Sequence, residues 1–214
     1  MQERMIKILI ADDHAIVRRG LKQILAETPD MMVLDEASNG HEVLTKVMKH
    51  DYSVILLDIS MPGKSGLDVL KELKTERPKL PVLILSMYPE EQYAVRVLRA
   101  GAAGYLTKEG APEELIYAIR KVVQGKKYVS ASLAEKLVFD LDGDSQKPLH
   151  ESLSDREFQV LCMIASGKTV SDISEELALS VKTISTYRTR LLEKMKMKNN
   201  AELTHYAVQN HLVE

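Results

Sequence analysis

Four apolar runs of this chain end on polar residues whose types suit one chemistry. "KILIADDH" closes on Asp12 and Asp13, "VILLDISMPG" on Asp58, "VLILSMYP" on Ser86 and "GYLTKEG" on Lys108. Two carboxylates about 4 Å apart repel by roughly 1 kcal/mol in water and about 4 kcal/mol at a partly buried position. A cation would offset that repulsion. An oxygen-only donor set favours a hard ion, and Mg²⁺ suits one or two carboxylates together with waters and a phosphate. A carboxylate in such a site can attack a phosphoryl group and become an aspartyl phosphate. A lysine and the metal would neutralise the transferred charge, and a serine hydroxyl would hold one of its oxygens.

For that chemistry the five residues must meet, so the elements carrying them matter. Strand-length apolar segments recur as "IKILIA", "MVLDEAS", "SVILLD", "PVLILS" and "AGYLT". Helix-like segments follow each: "AIVRRGLKQILAET", "GHEVLTKVMKHD", "SGLDVLKELKTERP", "PEEQYAVRVLRAG" and "APEELIYAIRKVVQG". Leu67, Leu70, Leu73 and Lys74 mark one face of the third. Pro112 fits a first helical turn, with Gly101 and Gly125 as stops. Alternating strands and helices predict right-handed parallel βαβ units, and hence an α/β, doubly wound, five-stranded parallel sheet. The unbroken apolar run Val54 to Leu57 suits a strand covered on both faces. In the strand order 2-1-3-4-5 the ligand crevice lies at the carboxyl ends of strands one and three. All three acids then converge there, with Ser86 and Lys108 approaching from the side. His14 reads as helix-start packing or capping, and the glycines of "MPGKSG" as turn residues.

Composition excludes several classes. The 214 residues carry a net charge of -2, with 45% hydrophobic and 28% charged residues, an ordinary globular balance. Any nucleic-acid-binding patch must therefore be local. The single cysteine, Cys162, permits no intrachain disulfide and sits in the apolar run "VLCMIA", where an inert core thiol is expected. The six histidines show no zinc-site spacing. No apolar stretch approaches the ~18 residues of a membrane span, and no signal-peptide core opens the chain. A soluble cytoplasmic protein without membrane contact is expected.

Beyond residue 126 the pattern changes. "DLDGDSQKPLHES" reads as linker, and "SASLAEKLVFDL" before it could form a short helix. From Leu153 onward four helices are expected, in "DREFQVLCMIASG", "TVSDISEELAL", "SVKTISTYRTRLLEKMK" and "NAELTHYAVQNHL". The division is thus 1–126, a linker 127–148, and an all-α four-helix domain 149–214. Ser180 is a natural N-cap for the third of these helices. Ile184, Arg188, Leu191 and Met195 form one stripe of that helix. Lys182, Ser185, Thr186, Thr189 and Arg190 form the opposite face. Residues 182–198 hold six basic side chains against Glu193 alone. That concentration suits a helix laid in the DNA major groove, with cations on phosphates and hydroxyls near base edges.

The acidic pair, "LLDISMPGKSGLDVL", "LS" at Ser86 and "TK" at Lys108 together resemble the receiver domain of two-component response regulators, over about residues 5–126. The resemblance implies a CheY-like fold and a histidine kinase as phosphoryl donor to Asp58. It implies direct Mg²⁺ ligation by Asp13, Asp58 and the Ser60 backbone carbonyl, with Asp12 acting through water. Lys108 would pair with the phosphate, and Ser86 and Tyr105 would be the hydroxyl and aromatic that move on activation. Many receivers place proline after the lysine; Glu109 stands here, which removes the basis for a cis peptide at that point. Residues 149–212, from "LSDRE" through "VKTIS", resemble the LuxR-type helix-turn-helix domain of the NarL/FixJ regulators. By that resemblance Ser185, Thr186 and Thr189 face bases. Lys182, Thr183, Tyr187, Arg188 and Arg190 serve phosphates or the groove edge.

A transcription factor follows, not an enzyme acting on other molecules. Phosphorylation would release the recognition helix from packing against the receiver and favour a homodimer on paired half-sites of double-stranded DNA. Two alternatives stand beside this reading. A haloacid-dehalogenase-type phosphohydrolase would carry D-x-D after its first strand, whereas this chain has adjacent "DD" there. A regulator of the same fold could instead answer to a protein partner without phosphorylation.

Overall fold

The computed structural model describes residues 5–130, 133–135 and 148–213. The chain divides into two compact units, Met1–Leu137 and Val138–Glu214. The first holds five parallel strands in the order β2-β1-β3-β4-β5. These are β1 (Ile6–Ala11), β2 (Met31–Ala37), β3 (Val54–Asp58), β4 (Val82–Ser86) and β5 (Gly104–Thr107). Helices α1 (Ala15–Ala26), α2 (Gly40–Lys49), α3 (Gly66–Glu76), α4 (Glu90–Arg99) and α5 (Pro112–Val123) alternate with them. The doubly wound parallel sheet is the one the alternation predicts, and its strand order is that expected of a CheY-like receiver. Every residue of β3 and β4 is buried, because helices cover both faces.

Local chemistry sets the helix ends. Asn39 and Ser65 cap α2 and α3 by accepting from the Glu42 and Asp68 amides. Pro112 occupies the first turn of α5, and Gly101 and Gly125 take the positive φ values that stop α4 and α5. Leu67, Leu70 and Leu73 are each at most 2% exposed, as their spacing requires. Lys74 ends that row half-buried, its ammonium donating to the Leu80 carbonyl at 2.6 Å.

Packing of the first unit runs past residue 126. Tyr128 is 7% exposed, bridges to Gly104 and joins the core of Ile8, Leu56 and Ile119. Leu133 is buried as well. The stretch expected to begin the linker therefore starts as part of this unit. Of the short helix expected in 130–141, Leu133–Glu135 are helical, and most of the remainder lies outside the described residues, as does most of the 127–148 linker.

The second unit opens with a 3-10 turn, Leu149–Ser152, and continues as α6 (Asp155–Ala165), α7 (Val170–Glu176), α8 (Val181–Met195) and α9 (Asn200–Gln209). Four N-caps, Ser154, Thr169, Ser180 and Asn199, start these helices with side-chain acceptors. Val160, Met163, Ile164, Ile173, Leu177 and Ile184 form its core, and Cys162 is buried beside them. Among the described residues no helix is long and apolar enough to cross a membrane.

Candidate functional site

The first unit gathers its charges at the carboxyl edge of the sheet. Asp12 follows β1, Asp58 ends β3, Ser86 ends β4 and Lys108 follows β5. Asp12, Asp58 and Ser86 are at most 2% exposed. The Lys108 ammonium lies between two acids, 2.7 Å from Asp12 Oδ2 and 2.8 Å from Asp58 Oδ2. Asp13 stands at the rim with its side chain 29% exposed. Ligand atoms of Asp12, Asp13, His14 and Asp58 all lie within 4.8 Å of one another.

Burial dominates the electrostatics. It pushes the Asp58 carboxyl above the usual range, more than Lys108 pulls it down. Burial also draws on Lys108, but Asp58 and Asp12 outweigh it and hold the ammonium above its ordinary value. One ammonium cannot balance three carboxylates, so two negative charges remain to be matched. A hard divalent cation suits that charge and that oxygen-rich donor set. The side chains that converge closely enough to share one ion are Asp12, Asp13, His14 and Asp58.

Backbone contacts fix the acids. Asp12 Oδ1 accepts from the His14 amide at 2.8 Å, and Asp58 Oδ1 from the Ser60 amide at 3.3 Å. Arg18 Nη1 donates to the carbonyls of Asp12 and Asp13 at 2.7 and 3.2 Å, bracing the acidic turn from α1. Gly66, at the start of α3, leaves no room for a side chain: a Cβ there would sit 2.0 Å from the Asp58 carbonyl oxygen. The expectation that "MPGKSG" supplies turn glycines holds for Gly63, at φ 72°, whereas Gly66 serves close approach to Asp58. His14 was expected as packing or a cap; it makes no side-chain cap and instead sets Nδ1 2.9 Å from Asp13 Oδ1. Its position beside the paired acids in sequence was the available signal. Nothing in residue types marked Arg18 or Gly66.

Ser86 and Tyr105 are joined through one backbone segment. Ser86 Oγ accepts from the Tyr88 amide at 3.1 Å, and the Tyr105 hydroxyl donates to the Tyr88 carbonyl at 2.7 Å. Tyr105 is 1% exposed, and burial holds its hydroxyl well above the ordinary tyrosine range. Among the described residues all peptide bonds are trans, that before Glu109 included.

In the second unit, α8 separates its faces. Ile184, Leu191 and Met195 are buried, while Lys182, Ser185, Thr186, Thr189 and Arg190 are exposed. The other expected contact residues are partly engaged within the unit. Thr183 Oγ1 lies 2.8 Å from the Ser180 hydroxyl, Tyr187 packs against the core, and Arg188 Nε donates to Asn200 Oδ1 at 2.6 Å. Lys194, counted among the six basic residues, pairs at 2.6 Å with Glu157 of α6. Glu157 is 3% exposed and closes the capping box of α6 with Ser154. "LSDRE" displays that box, but not its tie to α8.

Residues 8–120 match the response regulator receiver domain family, and residues 151–207 match the luxR family of bacterial regulatory proteins. The chain is 38% identical to the response regulator GacA of Pseudomonas protegens over 210 residues, covering 98% of this chain and 99% of that protein. It is 39% identical to the oxygen regulatory protein NreC of Staphylococcus carnosus over 216 residues, covering 98% and 100%. This chain is a response regulator of the NarL/FixJ family. Among solved structures, RcsB from Salmonella enterica serovar Typhimurium, bound to promoter rprA with the phosphomimetic BeF3-, is similar with a TM-score of 0.66. That pair shares 29% identity and covers 95% of this chain and 98% of the other. The response regulator thus combines a receiver with a DNA-binding LuxR-type domain, and its acidic cluster can accommodate a metal ion.

Proposed function

We propose that this response regulator is a transcription factor controlled by phosphorylation of Asp58. A histidine kinase is the donor, Mg²⁺ the cofactor and promoter DNA the target. The observation that carries the reading is the Lys108 ammonium held between the buried carboxylates of Asp12 and Asp58, with Asp13 at the open rim. Asp13, Asp58 and the Ser60 carbonyl would hold Mg²⁺ directly and Asp12 through water; when bound, the ion supplies positive charge against the phosphoryl oxygens. An Asp58 carboxylate oxygen attacks phosphorus, the new O–P bond forms and the P–N bond to the kinase histidine breaks, its electron pair staying on the imidazole. Lys108, already against Asp58, pairs with the arriving oxygens. Ser86 takes another oxygen, and its tie through Tyr88 passes that change to Tyr105. Water attack later returns carboxylate and inorganic phosphate. The chemistry is confined to Asp58, with no turnover of other substrates.

Phosphorylation then shifts an existing equilibrium toward a homodimer in which α8 is free to enter the major groove of paired half-sites. Lys182 and Arg190 meet phosphates there, joined at the groove edge by Thr183, Tyr187 and Arg188. The protein works in the cytoplasm, where promoters are reached. The similar RcsB is bound to promoter DNA in the presence of the phosphomimetic BeF3-, which supports a DNA-binding form of this chain that carries a phosphoryl group. Incubation with a small phosphodonor, with and without Mg²⁺, followed by intact-mass measurement tests the reading. One acid-labile phosphoryl group is expected on wild type with Mg²⁺ and none on Asp58→Asn. An unmodified wild type would favour control by a protein partner, and an adduct on Asp58→Asn would move the acceptor elsewhere.

A further inference from the structure

The exposed face of α8 carries a chemical bias. Thr186 Oγ1 donates to the Lys182 carbonyl at 2.9 Å, and Thr189 Oγ1 donates to the Ser185 carbonyl at 3.0 Å. A hydroxyl has one proton, and in both threonines it is committed within the helix. What each offers outward is acceptor lone pairs and a γ-methyl group. Among the described residues Ser185 Oγ makes no such bond, so its proton stays available. Lys182 and Arg190 flank the row as cations. Glu193 shares the face three turns beyond Lys182, past the N-terminal part of the helix that helix-turn-helix proteins lay on base edges.

The major groove answers this bias unequally. A G·C pair presents the guanine N7 and O6 acceptors and the cytosine N4 amino donor, so an acceptor finds a partner there but a methyl group finds none. An A·T pair presents the thymine C5-methyl and the adenine N6 amino donor, which match a γ-methyl beside an acceptor. We propose that Thr186 and Thr189 read A·T pairs in the binding site, and that the Thr186 γ-methyl packs on a thymine methyl and sets the preference at that position. The inference rests on the DNA-binding role of α8 and names the chemistry that role reads.

Its test uses the full chain. Binding sites are selected from a random duplex library, and each thymine in the selected site is then replaced by deoxyuridine, which lacks only the methyl. One position is expected where deoxyuridine weakens wild-type binding about fourfold, the change that burying one methyl group corresponds to. Thr186→Ser should bind thymine and deoxyuridine alike at that position. Thr186→Val, which keeps the methyl and removes the hydroxyl, should retain the sensitivity. Selected sites that bind equally well with deoxyuridine at every position would overturn this inference alone. Failure to select any duplex would overturn the DNA-binding role of α8 and this inference with it.

Discussion

The acidic crevice of the receiver and the recognition helix of the LuxR-type domain solve opposite problems. In the crevice, Asp12 and Asp58 are almost wholly buried and share one ammonium. Burial makes each charge depend on its neighbours, so single side chains decide the outcome. On α8 the cations and hydroxyls face water, where each contributes little and the row acts as a sum. A buried site tolerates almost no change at one position; an exposed one loses function by degrees.

Gly66→Ala is the sharpest way to break that comparison, since it adds one methyl group and touches no charge. The added carbon would lie against the Asp58 carbonyl, so β3 or α3 must shift. Displacing backbone in a packed interior costs roughly 1–3 kcal/mol. Phosphorylation of the variant should fall at least tenfold, while DNA binding by the unphosphorylated chain stays near wild type. Wild-type rates of adduct formation would show that the crevice is not positioned by this contact.

Glu157 is the one place where the LuxR-type domain behaves like the crevice. It is buried, closes a capping box and holds Lys194 of the recognition helix. Glu157→Ala should cost about 2 kcal/mol, from a lost cap and a lost charge-assisted hydrogen bond. Hydrogen exchange of the α6 amides in the full chain measures it. Burial pushes the Glu157 carboxyl up, but Lys194 and Ser154 outweigh it and hold it below the ordinary glutamate range. The stabilisation is therefore complete above about pH 4.3, the ordinary value, and is lost as pH falls through the lower folded value. Glu157→Gln should flatten that acid-side loss. Identical acid profiles would mean that the carboxylate is not what joins α6 to α8.

Arg190→Ala should have the smallest effect, because in the proposed reading it removes one exposed phosphate contact of several. The slope of log affinity against log salt should fall by about 0.9, with a similar loss on every sequence. Arg188→Ala sharpens the contrast: its Nε is held by Asn200, so the change should also loosen α8 against α9. Equal salt slopes for wild type and Arg190→Ala would remove Arg190 from the interface.

The strand ends explain why so much was legible. A parallel sheet places its carboxyl edges together, so Asp12, Asp58, Ser86 and Lys108 could be assembled from where apolar runs stop. The buried and exposed faces of α8 followed from 3.6-residue periodicity. What escaped were partners fixed only by three-dimensional approach. Arg18 reaches back to carbonyls that no side-chain pattern displays, and Gly66 matters for an atom it lacks. Tyr128 sits in a stretch that reads as linker, yet it fills the core beside β5. Lys194 reads as one more DNA-facing cation until Glu157 is seen beneath it.

The central claim is that the buried crevice governs the exposed helix. The most direct measurement is the affinity of the full-length chain for a selected promoter duplex, with and without a small phosphodonor and Mg²⁺, with Asp58→Asn in parallel. A rise in affinity on phosphodonor in wild type alone, accompanied by dimer formation, is the predicted result. Equal affinity and equal oligomeric state under both conditions in wild type would contradict it.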